Sequence, residues 1–241
     1  MINLKLKAKK SLLILFFLLF FCSESYSKNF SSNDLVDLND NHWAYKSAIN
    51  GIDKYKIFDC FDDHTFRGNK EVSLEELSYA ILNFLKYYEN EKGLSFKNKS
   101  NYPFKKDFFT NIEKSKYYEQ IKELKDYYGV VIAFYDDKSF SPERKIDNYD
   151  LIYSIDKIIF NISNGIKNSK SSPYQKSVES INMVDLEGKN NFSDKIKKNI
   201  LKTEIIQQNS IDTNEVVTRY RLSVIFDKLF DYIIVYEQQN L

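Results

Sequence analysis

His42–Tyr45 (HWAY) and the later stretch Phe61–Asn69 (FDDHTFRGN) decide the fold, because weaker copies of this layout recur twice downstream. The copies align on their turns, which are Thr65–Ser73 (TFRGNKEVS), Ser139–Asp147 (SFSPERKID) and Ser210–Thr218 (SIDTNEVVT). Self-similarity at a nearly fixed period is typical of a supersecondary unit that is copied along the chain. The sequence therefore predicts a threefold repeat.

The spacing of the aligned residues supports this prediction. Val72, Ile146 and Val217 occupy the same place in the three turns and lie 74 and 71 residues apart. Upstream of the turns, Val36–Leu38 (VDL) opens the first unit and Val184–Leu186 (VDL) opens the third. Ordered landmarks of this kind are much harder to obtain by chance than one matching turn.

Apolar residues recur at helical spacing on both sides of the turns. In the third unit, steps of three and four run without a break through Leu222, Ile225, Phe226, Leu229, Phe230 and Ile233. The first unit has two such stripes, Tyr45, Ala48, Ile49 and Ile52, then Leu74, Leu77, Ile81, Leu82 and Leu85, and the second repeats the plan less regularly. We expect a mainly α chain of three tandem helix-turn-helix repeats, packed around one shared axis because each pair is too small to bury its stripe alone.

Composition places the boundaries of these units. We expect a signal peptide, three repeats and two polar linkers rich in Asn, Ser, Lys, Gly and Pro. The segments are residues 1–27 (signal), 34–88 (repeat 1), 89–106 (linker), 107–160 (repeat 2), 161–179 (linker) and 180–236 (repeat 3).

The first residues have the order of a secretory signal: four Lys, then the apolar run Leu12–Cys22, then the small residues around Ser25–Ser27. Eleven apolar residues are too few to cross a bilayer, which takes about 20, so we expect no integral membrane span. Residues 1–27 carry four Lys and one Glu, which leaves 31 basic and 33 acidic residues after cleavage. A net charge of −2 provides no basic surface for nucleic acid.

The repeated layout resembles the S-layer homology (SLH) repeat, a module that usually occurs in threes and holds bacterial envelope proteins on cell-wall polysaccharide. The first unit carries His-Trp-Ala-Tyr, an Asp-x-Thr-Phe-Arg turn and the box Ser73–Glu76, whereas the second and third units are degenerate. The resemblance covers nearly the whole chain after residue 27. It implies a pseudo-threefold helical bundle that binds peptidoglycan-linked, acidic or pyruvylated polysaccharide.

The resemblance also implies site residues. In the family a Thr-Arg-Ala-Glu box lines the grooves between units, and its Arg contacts an acidic sugar. Only the third unit supplies that Arg, as Arg219 after Thr218, while the first has Leu74 and the second has Asn148. Arg221 stands where the family has Glu. In the first unit, Ser73 and Glu76 have the spacing of a capping box, which is a structural reason for their presence.

Arginine is scarce in the chain, and its distribution favours a site. All four Arg fall in the segments from turn to second helix: Arg67, Arg144, Arg219 and Arg221. A guanidinium matches a carboxylate with two parallel hydrogen bonds. We expect Arg219, together with Arg67 or Arg221, to receive a carboxylate of the glycan. The alternative is that these Arg pair with local Asp and Glu across unit boundaries.

The resemblance makes Trp43, the only tryptophan, a glycan-binding candidate, because this aromatic residue can border the ligand groove in the family. We favour packing in the core, since large aromatic residues are mostly buried, and stacking on a sugar face is the alternative. His42 and His64 have no partner at metal-ligand spacing, and we expect His42 to be a cap or turn residue. The sequence contains no Gly-x-Ser-x-Gly elbow, phosphate-binding loop or His-Glu-x-x-His pair. We expect no catalysis, no metal and no cofactor.

The sequence thus predicts an exported, non-catalytic protein of the cell envelope, located in the periplasm, the outer envelope or at the cell surface. Its expected partner is cell-wall polysaccharide or peptidoglycan, with an outer-membrane or surface-layer protein as a second kind of partner. The alternative is a protein-interaction or scaffold module whose degenerate repeats no longer bind glycan, and the missing Arg in two of the three boxes favours this alternative.

Overall fold

The computed structural model describes residues 32–97, 112–128, 140–169, 196, 200–207 and 215–240. The predicted signal peptide, residues 1–27, and the later parts of both predicted linkers lie outside these residues. The described chain is mainly helical, which confirms the predicted fold class. The helices with defined bounds are α1 (Tyr45–Ile49), α2 (Leu74–Lys92), α3 (Tyr118–Glu123), α4 (Asn148–Ser169) and α5 (Arg219–Asn240). No helix among the described residues is long and apolar enough to cross a membrane.

The three aligned turns meet in a closed ring of backbone hydrogen bonds. The amide of Val72 donates to the carbonyl of Val217 (2.9 Å), the amide of Val217 donates to Ile146 (3.0 Å), and the amide of Ile146 donates to Val72 (3.0 Å). All three side chains are fully buried. The residues that the repeat alignment places at one position therefore surround one point, from which the long helices α2, α4 and α5 depart.

The first turns of the long helices are capped by the neighbouring turn segments. The amide of Leu74 donates to the carbonyl of Arg144 (2.8 Å), and the amide of Arg219 donates to the carbonyl of Lys70 (3.0 Å). Amides at a helix start have no partner inside the helix. At α2 and α5, such amides donate to carbonyls of another repeat, and these hydrogen bonds tie the repeats together.

Each short helix continues into a five-residue π-helical turn, Asn50–Lys54 after α1 and Leu124–Tyr128 after α3. Helix α1 packs against α5, and α3 packs against α2. In the first and second repeats, the short helix thus lies on the long helix of the preceding repeat, and the repeat that precedes the first is the third.

Polar contacts fasten these helix pairs. Asp227 on α5 accepts from the Ser47 hydroxyl (3.0 Å), the Asn50 amide (2.8 Å) and the Tyr55 hydroxyl (2.8 Å). Burial and the Asp227 carboxylate raise the pKa of Tyr55. On the other pair, the Tyr128 hydroxyl donates to Glu89 (2.7 Å). In both cases a tyrosine that ends the π-helical turn, or lies just after it, reaches a carboxylate of the preceding repeat.

The third unit copies the first where both are described. Residues 196 and 200–202 are helical, and Ile196 and Ile200 are buried as Ala48 and Ile52 are in the first unit. The next turn has a positive φ at Glu204 (57°), as at Lys56 (56°) in the first unit. All three pairs lie 148 residues apart, which is also the offset of the two Val-Asp-Leu landmarks.

Both predicted linkers begin inside helices. Helix α2 continues to Lys92 because it ends at Gly93, whose φ of 62° is a left-handed conformation that glycine adopts without strain. Helix α4 continues to Ser169, nine residues into the predicted linker, and Ile162 within that stretch is buried. Polar composition alone did not distinguish an exposed helix end from a linker.

Candidate functional site

The start of each long helix carries an ion pair that spans six residues. In the first repeat, Lys70 Nζ lies 2.5 Å from Glu76 Oε1. In the second, Arg144 donates two hydrogen bonds to Asp150, at 2.7 and 3.0 Å, and the Asp150 side chain is fully buried. The carboxylate in each case is the third residue of its helix.

These carboxylates also complete capping boxes. Glu76 accepts from the Ser73 amide (3.0 Å), while the Ser73 hydroxyl accepts from the Glu76 amide (3.3 Å). Asp147 and Asp150 exchange the same two bonds at 3.1 and 3.0 Å. The capping role predicted for Ser73 and Glu76 is confirmed, and both side chains are buried.

The third repeat has the same pair with its charges exchanged. Arg221 Nη1 lies 2.5 Å from Glu215 Oε2, again six residues apart. Thr218 still caps the helix, because its hydroxyl accepts from the Arg221 amide (3.4 Å). Arg221 therefore pairs with a local carboxylate, as the alternative for the Arg residues expected, but within its own segment rather than across a unit boundary.

The first residue of each long helix points into the protein. Leu74, Asn148 and Arg219 occupy this position, and all three are buried, Arg219 with only 3% of its surface exposed. A buried charge is costly unless it finds partners. The surroundings of Arg219 therefore decide what this residue does.

Aromatic rings of the first repeat surround the Arg219 guanidinium. Its Cζ atom lies 4.4 Å from the centre of the Phe58 ring, 5.0 Å from Phe61 and 4.8 Å from Phe66. Nη2 donates to the backbone carbonyl of Asp59 (2.7 Å). Cation–π contacts of this kind are strongest where water is excluded. These contacts hold the guanidinium in place and offset part of the free-energy cost of burying its charge.

The ionic contact of Arg219 is long. Nη1 lies 3.9 Å from Glu76 Oε1, the oxygen that already takes the 2.5 Å contact from Lys70. Nε is buried and has no hydrogen-bond partner. Burial lowers the pKa of Arg219. Burial raises the pKa of Glu76. Hydrogen bonds from Lys70 and the Ser73 amide, together with the charges of Lys70 and Arg219, lower it by more, so the pKa of Glu76 lies below its ordinary value.

A small pocket of about 70 Å³ opens beside this guanidinium, where the first repeat meets the start of the second. The Tyr79 and Tyr117 rings stack along it with centroids 4.5 Å apart, and Lys116 Nζ lies 4.4 Å from the centre of the Tyr117 ring. Burial and the Asp59 charge raise the pKa of Tyr79 to about 12, and its hydroxyl donates to Asp59 Oδ1 (3.1 Å). The pocket is lined by Ile57, Phe58, Asp59, Cys60, Phe61, Glu76, Tyr79, Lys116, Tyr117 and Arg219.

Arg67 contacts the same Phe61 ring as Arg219 does. Its Cζ atom is 3.9 Å from the ring centre, and its Nη2 contacts Asp63 Oδ2 at 2.8 Å. Hydrogen bonds from Thr65 and Arg67 lower the pKa of the Asp63 carboxyl to about 2. The structure thus brings Arg67 and Arg219 to one aromatic ring, whereas Arg221 is turned to Glu215.

The prediction that Trp43 packs in the core is wrong, because 70% of its surface is exposed. The inward positions of this segment are Ala44 and Ala48, which are fully buried, and Trp43 precedes the first residue of α1. Its ring lies 5.5 Å from the His42 ring and 6.2 Å from the Tyr220 ring. The predicted turn role of His42 agrees with the hydrogen bond that its Nδ1 accepts from the Ala44 amide (3.2 Å).

Tyr220 is the residue that the sequence reasoning missed. Its ring lies 4.2 Å from the His42 ring and 5.5 Å from the Phe66 ring, and its amide donates to the Gly68 carbonyl (2.9 Å). Phe66 therefore contacts both Tyr220 and Arg219. The signal in the sequence was the tyrosine itself, which stands where the SLH box has alanine.

Among the described residues, no group of three or more His, Cys, Asp or Glu is arranged to hold a metal ion. No family model matches the chain, and no curated protein matches it either.

Proposed function

We propose that this protein is a non-catalytic component of the bacterial cell envelope that binds acidic cell-wall polysaccharide, with Arg219 as the centre of its site. The observation that carries the proposal is the buried Arg219 guanidinium. It lines a small pocket between repeats, its nearest carboxylate is already paired with Lys70, and its Nε has no partner. A carboxylate substituent such as a pyruvyl group offers this guanidinium a closer ionic partner than Glu76, which lies 3.9 Å away.

The size of the pocket supports a small group rather than a whole sugar ring. A volume of about 70 Å³ holds a carboxylate with little else. Lys116 adds a second positive charge to the lining, which also holds the carboxyl groups of Asp59 and Glu76, and the Tyr79 hydroxyl already donates to Asp59 Oδ1 (3.1 Å). In this proposal the sugar rings stay outside the pocket, and the exposed Trp43 offers an aromatic face to one of them.

Each remaining candidate has a defined part in the proposal. Ser73 and Glu76 fix the start of α2 and place the carboxylate beside Arg219, and Thr218 does the same for the start of α5. Arg67 lies on the Phe61 ring, which also lines the pocket, and its charge is paired with Asp63. Arg221 supports the helix start through Glu215 and has no direct role in binding.

Localisation follows from the same proposal. A protein that binds wall polysaccharide acts after export, in the periplasm, the outer envelope or at the cell surface, as the SLH resemblance and the predicted signal peptide imply. An outer-membrane or surface-layer protein is the second partner that we propose, because wall-bound repeats commonly position another envelope component in that family.

The test is co-sedimentation of protein, purified from cells that export it, with isolated cell-wall sacculi. We expect the protein to sediment with intact sacculi and to stay in the supernatant after acid has removed the attached polysaccharide. The informative variant is Trp43→Ala, because a side chain exposed to this extent contributes little to stability. We expect it to lower affinity roughly thirtyfold, the effect of truncating a central aromatic residue, with an unchanged melting temperature.

Tyr127→Ala is the matched control, since this aromatic residue is also exposed (47%) but lies in the π-helical turn of the second repeat. Arg219→Leu tests the pocket itself, because leucine occupies the same helical position in the first repeat. Loss of binding in both test variants and not in the control supports the proposal. A wild type that remains in the supernatant with intact sacculi contradicts it.

One observation favours the alternative of a protein-interaction module. Three of the four guanidiniums pair at close range with a carboxylate of their own segment: Arg67 with Asp63, Arg144 with Asp150 and Arg221 with Glu215. A protein that ignores sacculi but is recovered in a crosslinked complex with one outer-membrane or surface-layer protein would establish this alternative.

A further inference from the structure

We infer that Tyr220 is a positioning residue: it holds His42 and Trp43 as an open aromatic shelf on which the apolar face of a pyranose ring rests. The inference rests on the proposed function for the identity of the ligand. It goes beyond it by assigning a role to a residue that contacts the ring of Trp43 from another repeat.

The contact between Tyr220 and Gly68 fixes the tyrosine ring. A Cβ atom placed on Gly68 would lie 2.0 Å from Cζ of Tyr220 and 2.1 and 2.2 Å from its two Cε atoms. No real side chain tolerates such distances, so the ring occupies the space that any other residue at position 68 would need. Glycine in the turn of the first repeat and tyrosine in the helix of the third are therefore a matched pair.

The backbone holds the same two residues together. The Tyr220 amide donates to the Gly68 carbonyl (2.9 Å), and the preceding amide of Arg219 donates to Lys70 (3.0 Å). Tyr220 is 6% exposed and its ring also contacts Phe66, a fully buried residue. Gly68 and Phe66 thus pack against the Tyr220 ring, and the hydrogen bond of its amide fixes the backbone, so the ring has little freedom to move.

The shelf is built on this fixed ring. The His42 ring lies over Tyr220 with centroids 4.2 Å apart and planes inclined by 30°, which is close to stacking. Trp43 leans on both, 5.5 Å from His42 and 6.2 Å from Tyr220, while 70% of its surface remains exposed. Tryptophan that rests on other rings and still faces solvent offers a large flat apolar surface of low conformational entropy.

A pyranose is the occupant that fits this surface and its surroundings. One face of the sugar ring presents C–H groups to an aromatic plane, and its hydroxyls need polar partners at the edge. The Asp37 carboxylate offers such a partner: it accepts from the Phe66 amide (2.6 Å) and the Arg67 amide (2.7 Å), in the turn beside Gly68 on which Tyr220 packs. Phe66 packs between Tyr220 and the Arg219 guanidinium and is fully buried, so the shelf and the Arg219 pocket receive different parts of the polysaccharide.

The experiment uses the fact that Trp43 is the only tryptophan of the chain, so intrinsic fluorescence reports on this side chain alone. Time-resolved anisotropy of Trp43 is measured in the wild type and in Tyr220→Phe, Tyr220→Leu and Tyr220→Ala, together with sacculus binding. Phenylalanine keeps the ring, and leucine keeps most of the apolar volume without it. Tyr127→Ala serves as the control for loss of a tyrosine elsewhere.

We expect Tyr220→Phe to match the wild type in both measurements. Tyr220→Leu and Tyr220→Ala should add a fast depolarisation of Trp43 and weaken glycan binding roughly threefold to tenfold, the worth of one aromatic contact. Gly68→Ala should reproduce the loss from the other side, because its Cβ displaces the tyrosine ring. A folded Tyr220→Leu or Tyr220→Ala protein with unchanged Trp43 anisotropy and unchanged binding overturns the inference.

The failure of the proposed function can be told apart. If the wild type binds no sacculi, the glycan proposal is refuted, and the anisotropy of the same variants alone decides whether Tyr220 positions Trp43. If the wild type binds and Tyr220→Leu lowers only the melting temperature, Tyr220 is purely structural and the inference is overturned while the proposed function stands.

Discussion

The long helices of the first and third repeats begin with the same geometry and opposite charges. Lys70 pairs with Glu76 in the first repeat, whereas Glu215 pairs with Arg221 in the third. Both pairs span six residues and end on the third residue of a helix. The fold thus requires an opposite pair between the turn and the helix, and it accepts either sign.

A second difference lies at the first helical residue. Leu74 and Arg219 are both buried, and the ring of turn segments places them equivalently. Leucine fills its position with apolar contacts alone. Arginine brings a charge that reaches Phe58, Phe61 and Phe66 of another repeat and borders a pocket. The same backbone position is structural in one repeat and chemical in another.

The largest effect is expected where the ion pair is most buried, in the second repeat. Asp150→Ala removes a fully buried carboxylate that accepts two bonds from Arg144 and caps α4 through the Asp147 amide. Breaking such a pair removes the carboxylate that faces a partly buried cation, and we expect a loss of about 3 kcal/mol in the free energy of unfolding. Urea denaturation measures it. A loss no larger than that of Glu76→Ala, whose Lys70 partner is more exposed, would contradict the ranking.

The second effect concerns Arg219. Arg219→Ala leaves a cavity among three phenylalanine rings, and we expect its free energy of unfolding to be about 2 kcal/mol lower than that of the wild type. Arg219→Leu, which copies the first repeat, should stay within about 1 kcal/mol, because Glu76 keeps Lys70 and its capping bond. Equal losses in the two variants would show that the charge itself, rather than the filled volume, stabilises the position.

Much of this architecture was predictable from the sequence. The period of the turns identified Val72, Ile146 and Val217 as equivalent, and these residues form the hydrogen-bonded ring. The steps of three and four in the third unit predicted α5. Periodicity succeeds here because it reports a physical requirement, the burial of one helix face, that does not depend on which apolar residue is used.

The site was less predictable, for two physical reasons. The ion pair between Arg221 and Glu215 was not predicted, because its charges are exchanged relative to the first repeat. A motif written as residue names does not contain the rule that the two charges can be exchanged. Trp43 was assigned to the core by its size, yet Ala44 and Ala48 provide the inward face of α1. The contact of Tyr220 with Gly68 joins residues of different repeats, and such a contact has no local pattern.

Acid should weaken the first repeat through Glu76. Its pKa is lower in the folded protein, because the bonds from Lys70 and the Ser73 amide outweigh burial. A carboxyl with a lowered folded pKa stabilises the protein above its unfolded pKa, about 4.3, and loses that contribution as the pH falls through the folded value. We expect Glu76→Gln to cost about 1 kcal/mol at pH 7 and almost nothing once the pH is well below the folded pKa, measured by urea denaturation at a series of falling pH values. A cost that does not change with pH would contradict the assignment.

The smallest effect tests the exchanged charges directly. Arg221→Glu places a second carboxylate beside Glu215, on a pair that is partly exposed, so we expect a loss of only about 0.5 to 1 kcal/mol. Adding Glu215→Lys gives the third repeat the polarity of the first, and the new glutamate can then bond the Thr218 amide as Glu76 bonds that of Ser73. The double variant should therefore recover the wild-type free energy of unfolding within about 0.5 kcal/mol, and the coupling energy of the double-mutant cycle should favour it. Additive losses would mean that the sign of each charge is fixed by groups outside the pair, and the equivalence of the two helix starts would fail.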